Sequence, residues 1–123
     1  MNIKEFYDFI GEDYNEVIGR LRVESRIIKY VSKFPTDTCF GILRAAVKEK
    51  NYTEAFRAAH TLKGICLNLG FSSFFTTVSE ITEKLRNHQN DADVDADGSV
   101  SALVEEASDK YSGIISGIYA LDK

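Results

Sequence analysis

The fold of this chain can be worked out from residues 56–70, which read FRAAHTLKGICLNLG. Small and aliphatic side chains recur in this stretch at intervals of three and four, the spacing that gathers them on one face of an α-helix. We predict an amphipathic helix from Thr53 to Leu69, about 25 Å long and ended by Gly70. Two residues, His60 and Gly64, lie off its apolar face, and a glycine inside a helix costs about 1 kcal/mol relative to alanine.

The spacing of apolar residues also predicts helices in the segments before this one. No run of alternating apolar and polar residues predicts a strand. Short helices are expected after Asn2 and Asp13, whose side chains are suited to cap them. From about Val23 to Lys50 the apolar spacing continues across Pro35, which removes a backbone hydrogen bond and disfavours helix at the preceding residue. This pattern fits one kinked helix or two separate helices, and we expect the kink.

Two more amphipathic helices follow the histidine helix. One lies within residues 71–88 and is expected to be capped by Ser72 or Ser73, and the other runs from Ser99 to Leu121. Long helices with one apolar stripe each can bury those stripes only against one another. We therefore predict an all-α fold, an antiparallel four-helix bundle with short additional N-terminal helices.

Composition limits the class of protein. Hydrophobic residues make up 44% of the 123-residue chain and charged residues 28%, as in one soluble globular domain. We predict a single domain over residues 1–123, with capping helices in 1–22 and the bundle in 23–122. The net charge of -4 gives no field that would attract nucleic acid or an anionic membrane surface. Because there is no long apolar run and no secretory signal pattern, we expect a cytoplasmic location. We also expect a monomer.

His60 points away from the apolar face when its helix is drawn as a wheel. The apolar positions lie opposite the histidine, at about 140° to 240° from it, and they are Ala55, Ala58, Leu62, Ile65, Cys66 and Leu69. An isolated histidine is often a hydrogen-bonded core residue, but this spacing predicts an imidazole in solvent. Its own face combines apolar and cationic side chains with a glycine: Thr53, Phe56, Arg57, Lys63, Gly64 and Leu67.

Gly64 and Lys63 suit a histidine that carries a transferable group. Helical side chains lean toward the N-terminus, so the residue four positions after His60 would normally cover its ring. Gly64 leaves the imidazole open to a bulky reactant, although a glycine can instead serve close contact between helices. Lys63, one turn after His60, can bring an ammonium near an attached phosphoryl group and stabilise its charge.

The string AAHTLKGICLNLG, residues 58–70, resembles the signature of histidine-containing phosphotransfer (HPt) domains. In that family the histidine is followed by x-Leu-Lys-Gly and later by Leu-Gly, and the matching residues are His60, Leu62, Lys63, Gly64, Leu69 and Gly70. Ile65 and Cys66 stand where the family commonly has Ser or Ala. The segments YVSKFPTD and NYTEAFRAAH and the order of the helices also look like this family.

The resemblance implies a phosphorelay intermediate of a two-component system. His60 would accept a phosphoryl group from a receiver-domain aspartate and pass it to another receiver aspartate. The expected partners are response-regulator receiver domains, with a hybrid sensor kinase as a further candidate. The chain would need no cofactor or metal of its own, since the receiver supplies Mg²⁺. The sequence contains no glycine-rich phosphate loop that would indicate ATP binding or autokinase activity.

The resemblance extends to residues around the histidine. Some family members have a glutamine and a basic residue on the next helix, and these positions correspond to Thr82 and Arg86. Arg86 would add positive charge near the phosphoryl group, whereas Thr82 departs from glutamine. Phe56, Arg57 and Leu67, together with Thr82, are expected to contact the partner.

Parts of the sequence suggest three alternatives. The chain could be a helical interaction module that binds a receiver or another regulator without being phosphorylated. Residues 93–98 fit the start of an EF-hand calcium loop, but position 12 is Val104 instead of a glutamate, so we expect an acidic connector in which Asp97 or Ser99 caps the last helix. A catalytic pair of His60 and Cys66 fails because they face opposite sides of one helix.

The two cysteines provide no further site. Cys39 and Cys66 lie in apolar helical patterns without the spacing of metal ligands, so we expect buried, reduced thiols and no disulfide.

Overall fold

The computed structural model describes residues 1–122, and this part of the chain is helical without any strand. Seven α-helices follow one another, with a 3₁₀ turn at Phe34–Thr36 between the third and the fourth. They are α1 (Ile3–Phe9), α2 (Tyr14–Leu21), α3 (Glu24–Lys33), α4 (Cys39–Lys48), α5 (Tyr52–Leu69), α6 (Ser72–Leu85) and α7 (Ser99–Tyr119).

Helices α4 to α7 form a four-helix bundle. Each packs on the next along the chain, and a smaller contact between α4 and α7 closes the bundle. The N-terminal helices lie outside it, with α2 and α3 against α5 and α1 against α7. The predicted all-α bundle with short additional N-terminal helices is therefore confirmed. No helix within residues 1–122 combines the length and the apolar composition needed to cross a lipid bilayer.

The expected kinked helix from Val23 to Lys50 is wrong, because two helices occupy this segment. Pro35 has no amide hydrogen with which to continue α3, and the chain passes through the 3₁₀ turn to an extended Asp37. The Asp37 carboxylate then accepts a hydrogen bond from the amide of Cys39 at 2.8 Å, where α4 begins. The first helix of the bundle therefore starts at Cys39.

Tertiary contacts explain why the chain breaks here instead of bending. Phe34, at the start of the 3₁₀ turn, is buried. Its ring packs edge-on against Phe71 with ring centroids 5.2 Å apart, and it also meets Tyr111 at 5.7 Å. These contacts hold the turn against the end of the bundle and add to the area burial of the three rings.

The helix starts near the N-terminus are capped as the sequence predicts, but that of α6 is not. Asn2 forms a capping box with Glu5, and Asp13 accepts a hydrogen bond from the second residue of α2. The expected cap of α6 by Ser72 or Ser73 is wrong. Its N-cap residue makes no side-chain hydrogen bond, and the Ser73 amide instead donates to a Glu12 carboxylate oxygen at 2.9 Å.

The turn between α5 and α6 is the point where the N-terminal helices attach to the bundle. The Tyr7 hydroxyl donates a buried hydrogen bond of 2.6 Å to the carbonyl of Leu69, the last residue of α5. Gly70 follows with φ of 70°, in the left-handed region that favours glycine. A Cβ added to Gly70 would overlap the side chain of Val17 on α2. Gly70 thus ends α5, as predicted, and leaves room for α2.

Gly70→Ala is expected to lower the free energy of unfolding by about 2 kcal/mol or more, since it combines left-handed backbone strain with a clash against Val17. Gly19→Ala is the matched control, because Gly19 lies inside α2 and a Cβ there meets no atom within 4 Å. It should leave stability unchanged or raise it by about 0.5–1 kcal/mol. Urea unfolding of both variants tests this, and equal stabilities would contradict the assignment.

Candidate functional site

The two faces of α5 differ as its spacing predicts. One face is buried in the bundle by Ala55, Ala58, Ala59, Leu62, Cys66 and Leu69. His60 lies on the other face and is exposed. Ile65, expected on the apolar face, is only partly buried at its margin. The imidazole therefore projects into solvent from a helix that is fixed along its opposite side.

The surface beside His60 is open at Gly64. This glycine is exposed, and a Cβ built on it meets no heavy atom of neighbouring elements within 4 Å in residues 1–122. It therefore has no role in close helix packing, which was the alternative explanation of a glycine at this position. A glycine here costs about 1 kcal/mol of helix propensity. What it provides is open space one turn after the imidazole.

Phe56 and Arg86 lie together on the N-terminal side of the histidine. The rings of Phe56 and His60 are tilted against each other with centroids 6.0 Å apart. The guanidinium carbon of Arg86, just after α6, lies 5.4 Å from the centroid of the same phenyl ring, within reach of a cation–π interaction. The resemblance predicted Arg86 near the site, and one aromatic ring contacts both the arginine and the histidine.

Glu83 is hydrogen-bonded to Arg86 and is also influenced by the charge of Lys63. Its carboxylate receives hydrogen bonds from Arg86 Nε at 3.2 and 3.3 Å and from Arg86 Nη2 at 3.2 Å. These bonds, and more weakly the positive charge of Lys63 on α5, hold the pKa of Glu83 below its usual value. Lys63 itself is half-buried. Glu83 was missed by the sequence reasoning, although its i,i+3 spacing to Arg86 was a usable signal.

The residues expected to contact a partner differ in accessibility. Leu67 is 55% exposed, and Phe56 is partly buried with the rest of its ring at the surface. The Arg57 side chain is exposed and pairs with Glu54 at 3.1 Å. These residues leave an apolar surface with a cationic edge around His60.

Thr82 does not belong to this surface. It is fully buried, and its hydroxyl donates a hydrogen bond of 2.8 Å to the carbonyl of Val78 one turn earlier in α6. The expectation that Thr82 contacts a partner is therefore wrong. A threonine on the flank of α6 that faces the core can satisfy its hydroxyl within its own helix.

The acidic segment before α7 caps that helix. Asp95 accepts hydrogen bonds from the amides of Val100 and Ser101 at 2.9 and 3.1 Å and from the Ser101 hydroxyl. Asp97 accepts one from the Ser99 amide at 3.0 Å, which lowers its pKa. The predicted capping role of Asp97 holds, and Asp95 was overlooked because it lies four residues before the helix begins. No cluster of three metal-ligating side chains occurs in residues 1–122.

The cysteines take no part in the site. Cys66 is buried on the far side of α5 from His60, and burial raises the pKa of its thiol to about 12. Cys39 is half-buried rather than buried, and its pKa is raised to about 11 for the same main reason. Both are free thiols, as expected, and neither is activated as a nucleophile.

Comparison with known proteins assigns the family. A model of the Hpt domain matches residues 36–110, more than half of the chain, and the chain therefore belongs to the Hpt domain family. Searches of curated proteins and of solved structures each returned no match. Hpt domains are phosphotransfer modules of two-component signalling and interact with response-regulator receiver domains. The matched region begins at the 3₁₀ turn and contains His60, Lys63, Gly64, Glu83 and Arg86.

Asp95→Ala is expected to lower the free energy of unfolding by about 1–2 kcal/mol, because two amides in the first turn of α7 lose their acceptor. Asp93→Ala removes the same charge from the same segment without removing a cap, and it should change stability by less than about 0.5 kcal/mol. Thermal or urea unfolding of both variants provides the comparison, and a larger loss in Asp93→Ala would refute the capping assignment.

Proposed function

We propose that this protein is a phosphorelay intermediate in which His60 accepts a phosphoryl group from the aspartate of one receiver domain and passes it to the aspartate of another. The observation that carries the proposal is the exposed imidazole beside the free space at Gly64. In-line displacement needs room for an entering and a leaving oxygen on opposite sides of phosphorus. Such room is present on this face of α5.

The proposed reaction is a displacement at phosphorus. The unprotonated ring nitrogen of His60 attacks the phosphorus of an aspartyl phosphate, so that a P–N bond forms while the P–O bond to the aspartate breaks. The aspartate leaves as a carboxylate, and the other ring nitrogen keeps its proton. In the onward step a carboxylate of the second receiver attacks, the P–N bond breaks, and the imidazole leaves as a neutral group. No proton has to be taken up from solvent in either direction.

Lys63 and Arg86 are the residues proposed to stabilise the phosphoryl charge. A phosphoryl group on His60 adds negative charge beside the ring, which cations within several ångströms favour. Lys63 is one helical turn after His60, and Arg86 contacts the same phenyl ring as the imidazole. The remaining catalytic groups, including Mg²⁺, are proposed to come from the receiver.

The receiver is proposed to dock on the apolar surface around the histidine. Leu67 is exposed and Phe56 partly so, and Arg57 adds a charge at the edge. A patch of this kind on a monomer is a common mark of an interaction site. Transient signalling partners bury modest areas, which suits a protein that must release one receiver before it binds the next.

The direct test is to incubate the protein with radiolabelled phosphoreceiver domains and to look for acid-labile, base-stable label. Wild type should be labelled and His60→Gln should not, because glutamine cannot form the P–N bond of phosphohistidine. Label retained in His60→Gln would overturn the assignment. A wild type that binds receivers yet takes no label from any of them would favour the alternative, an interaction module that is not phosphorylated.

Gly64→Gln tests the requirement for open space. A Cβ at this position meets no atom within 4 Å, so the variant should fold and gain up to about 1 kcal/mol of stability from better helix propensity. Transfer should slow by about tenfold to a hundredfold, since the added side chain obstructs the approach of the receiver aspartate.

The matched control is Gly113→Gln on α7, another exposed helical glycine where a Cβ meets nothing within 4 Å. Its transfer rate should equal that of wild type. If a folded Gly64→Gln protein transfers as fast as Gly113→Gln, the free space at Gly64 has no part in the reaction.

A further inference from the structure

Within residues 1–122, Glu83 is the one acidic side chain that pairs with the arginine of the site. We propose that Glu83 is a positioning residue that acts through Arg86 and Lys63 and lowers the stability of phosphohistidine, so that the phosphoryl group is passed on instead of being stored. The inference rests on the proposed function of His60. Beyond that function, it gives Glu83 two roles. The carboxylate opposes phosphorylation of His60, and it fixes the position of Arg86 before the receiver binds.

The position of Arg86 is determined by two contacts. Its guanidinium is held by both carboxylate oxygens of Glu83, with donor–acceptor distances of 3.2 to 3.3 Å. It also lies over the ring of Phe56 at 5.4 Å, and that ring is 6.0 Å from the imidazole of His60. Arg86 thus lies over the same ring that meets the histidine, and its Nε and Nη2 donate to Glu83.

The charge of Glu83 is compensated mainly by Arg86 and to a smaller extent by Lys63. Hydrogen bonds from Arg86 and the charge of Lys63 lower the pKa of Glu83, so the carboxylate is ionised at neutral pH. In the unphosphorylated protein the two cations are partly compensated by this one anion. A phosphoryl group on His60 adds a second, stronger anion, and the two then compete for Arg86 and Lys63.

This competition determines the direction of the effect. The equilibrium is between aspartyl phosphate with free His60 and free aspartate with phosphohistidine, and one P–O bond is exchanged for one P–N bond. Repulsion from Glu83, and its hold on Arg86, raise the free energy of the phosphohistidine side, because only that side carries a phosphoryl anion on His60. Glu83 therefore favours the aspartyl phosphate of the receiver.

The effect is modest because the pair is accessible to water. The side chains of Arg86 and Glu83 are 41% and 60% exposed, and exposed charge pairs contribute little in water. We expect Glu83→Gln to shift the transfer equilibrium about two- to fivefold toward phosphohistidine. The shift should shrink as salt is raised to about 1 M, where the Debye length falls to about 3 Å.

The experiment measures the equilibrium constant of transfer with a receiver domain that labels the wild-type protein, for wild type, Glu83→Gln and Glu80→Gln. Glu80→Gln is the matched control. Glu80 is exposed on the same helix, and the substitution removes the same charge. The equilibrium constant does not depend on how fast the partners associate, so an effect on docking rate alone leaves it unchanged. Thermal unfolding of each variant checks that the fold is intact.

Adding Arg86→Gln, alone and combined with Glu83→Gln, tests whether Glu83 acts through the arginine. Arg86→Gln alone should shift the equilibrium toward aspartyl phosphate. The Glu83→Gln shift should be smaller in that background, because only the direct repulsion and the part that acts through Lys63 remain. A merely structural role of Glu83 would not give this coupling or the salt dependence.

The outcomes separate the two proposals. If no receiver labels wild type on His60, the proposed function itself fails. If wild type is labelled but Glu83→Gln matches Glu80→Gln, or shifts toward aspartyl phosphate, the relay function stands and the role of Glu83 is refuted. A shift toward phosphohistidine in Glu83→Gln alone, reduced by salt and by Arg86→Gln, supports it.

Discussion

The burial of one face of α5 is the constraint on which the rest of the structure depends. Its apolar residues pack against α4 and α6 within the bundle, and a rigid helix has no freedom to turn one face inward without turning the other outward. His60, Gly64 and Leu67 are therefore presented together at the surface. Since the cost of rotating α5 would be the exposure of the whole apolar stripe, the histidine is held outward by the core and needs no local restraint.

The turn at Gly70 brings the residues that α6 contributes to the site next to α5. Because α6 returns antiparallel to α5, Glu83 and Arg86 at its far end come back beside Phe56 and His60. The turn is itself secured by the Tyr7 hydroxyl bond to Leu69. The N-terminal helices, which lie outside the bundle, thereby support the geometry in which charges from two helices meet around one imidazole.

Local sequence signals predicted the helices but not every helix end. The capping box at Asn2 and the left-handed Gly70 involve groups a few residues apart, so spacing reveals them. The α6 cap by Glu12 joins residues 61 positions apart in the chain and could not be read from a local pattern. The break at Pro35 was ambiguous for the same reason, since burial of Phe34 in an aromatic cluster formed by distant residues favours two helices over one kinked helix.

For this protein, the periodicity of apolar residues was enough to predict an all-helical bundle and the exposure of His60, because each depends only on which side of one helix is apolar. The pattern of His60, Lys63 and Gly64 within a single helix indicated the family for the same reason. The partnership of Glu83, Arg86 and Phe56 and the burial of Thr82 were decided by how α5 and α6 pack. Distances between side chains on different helices follow from packing the whole core, and no spacing along the chain encodes them.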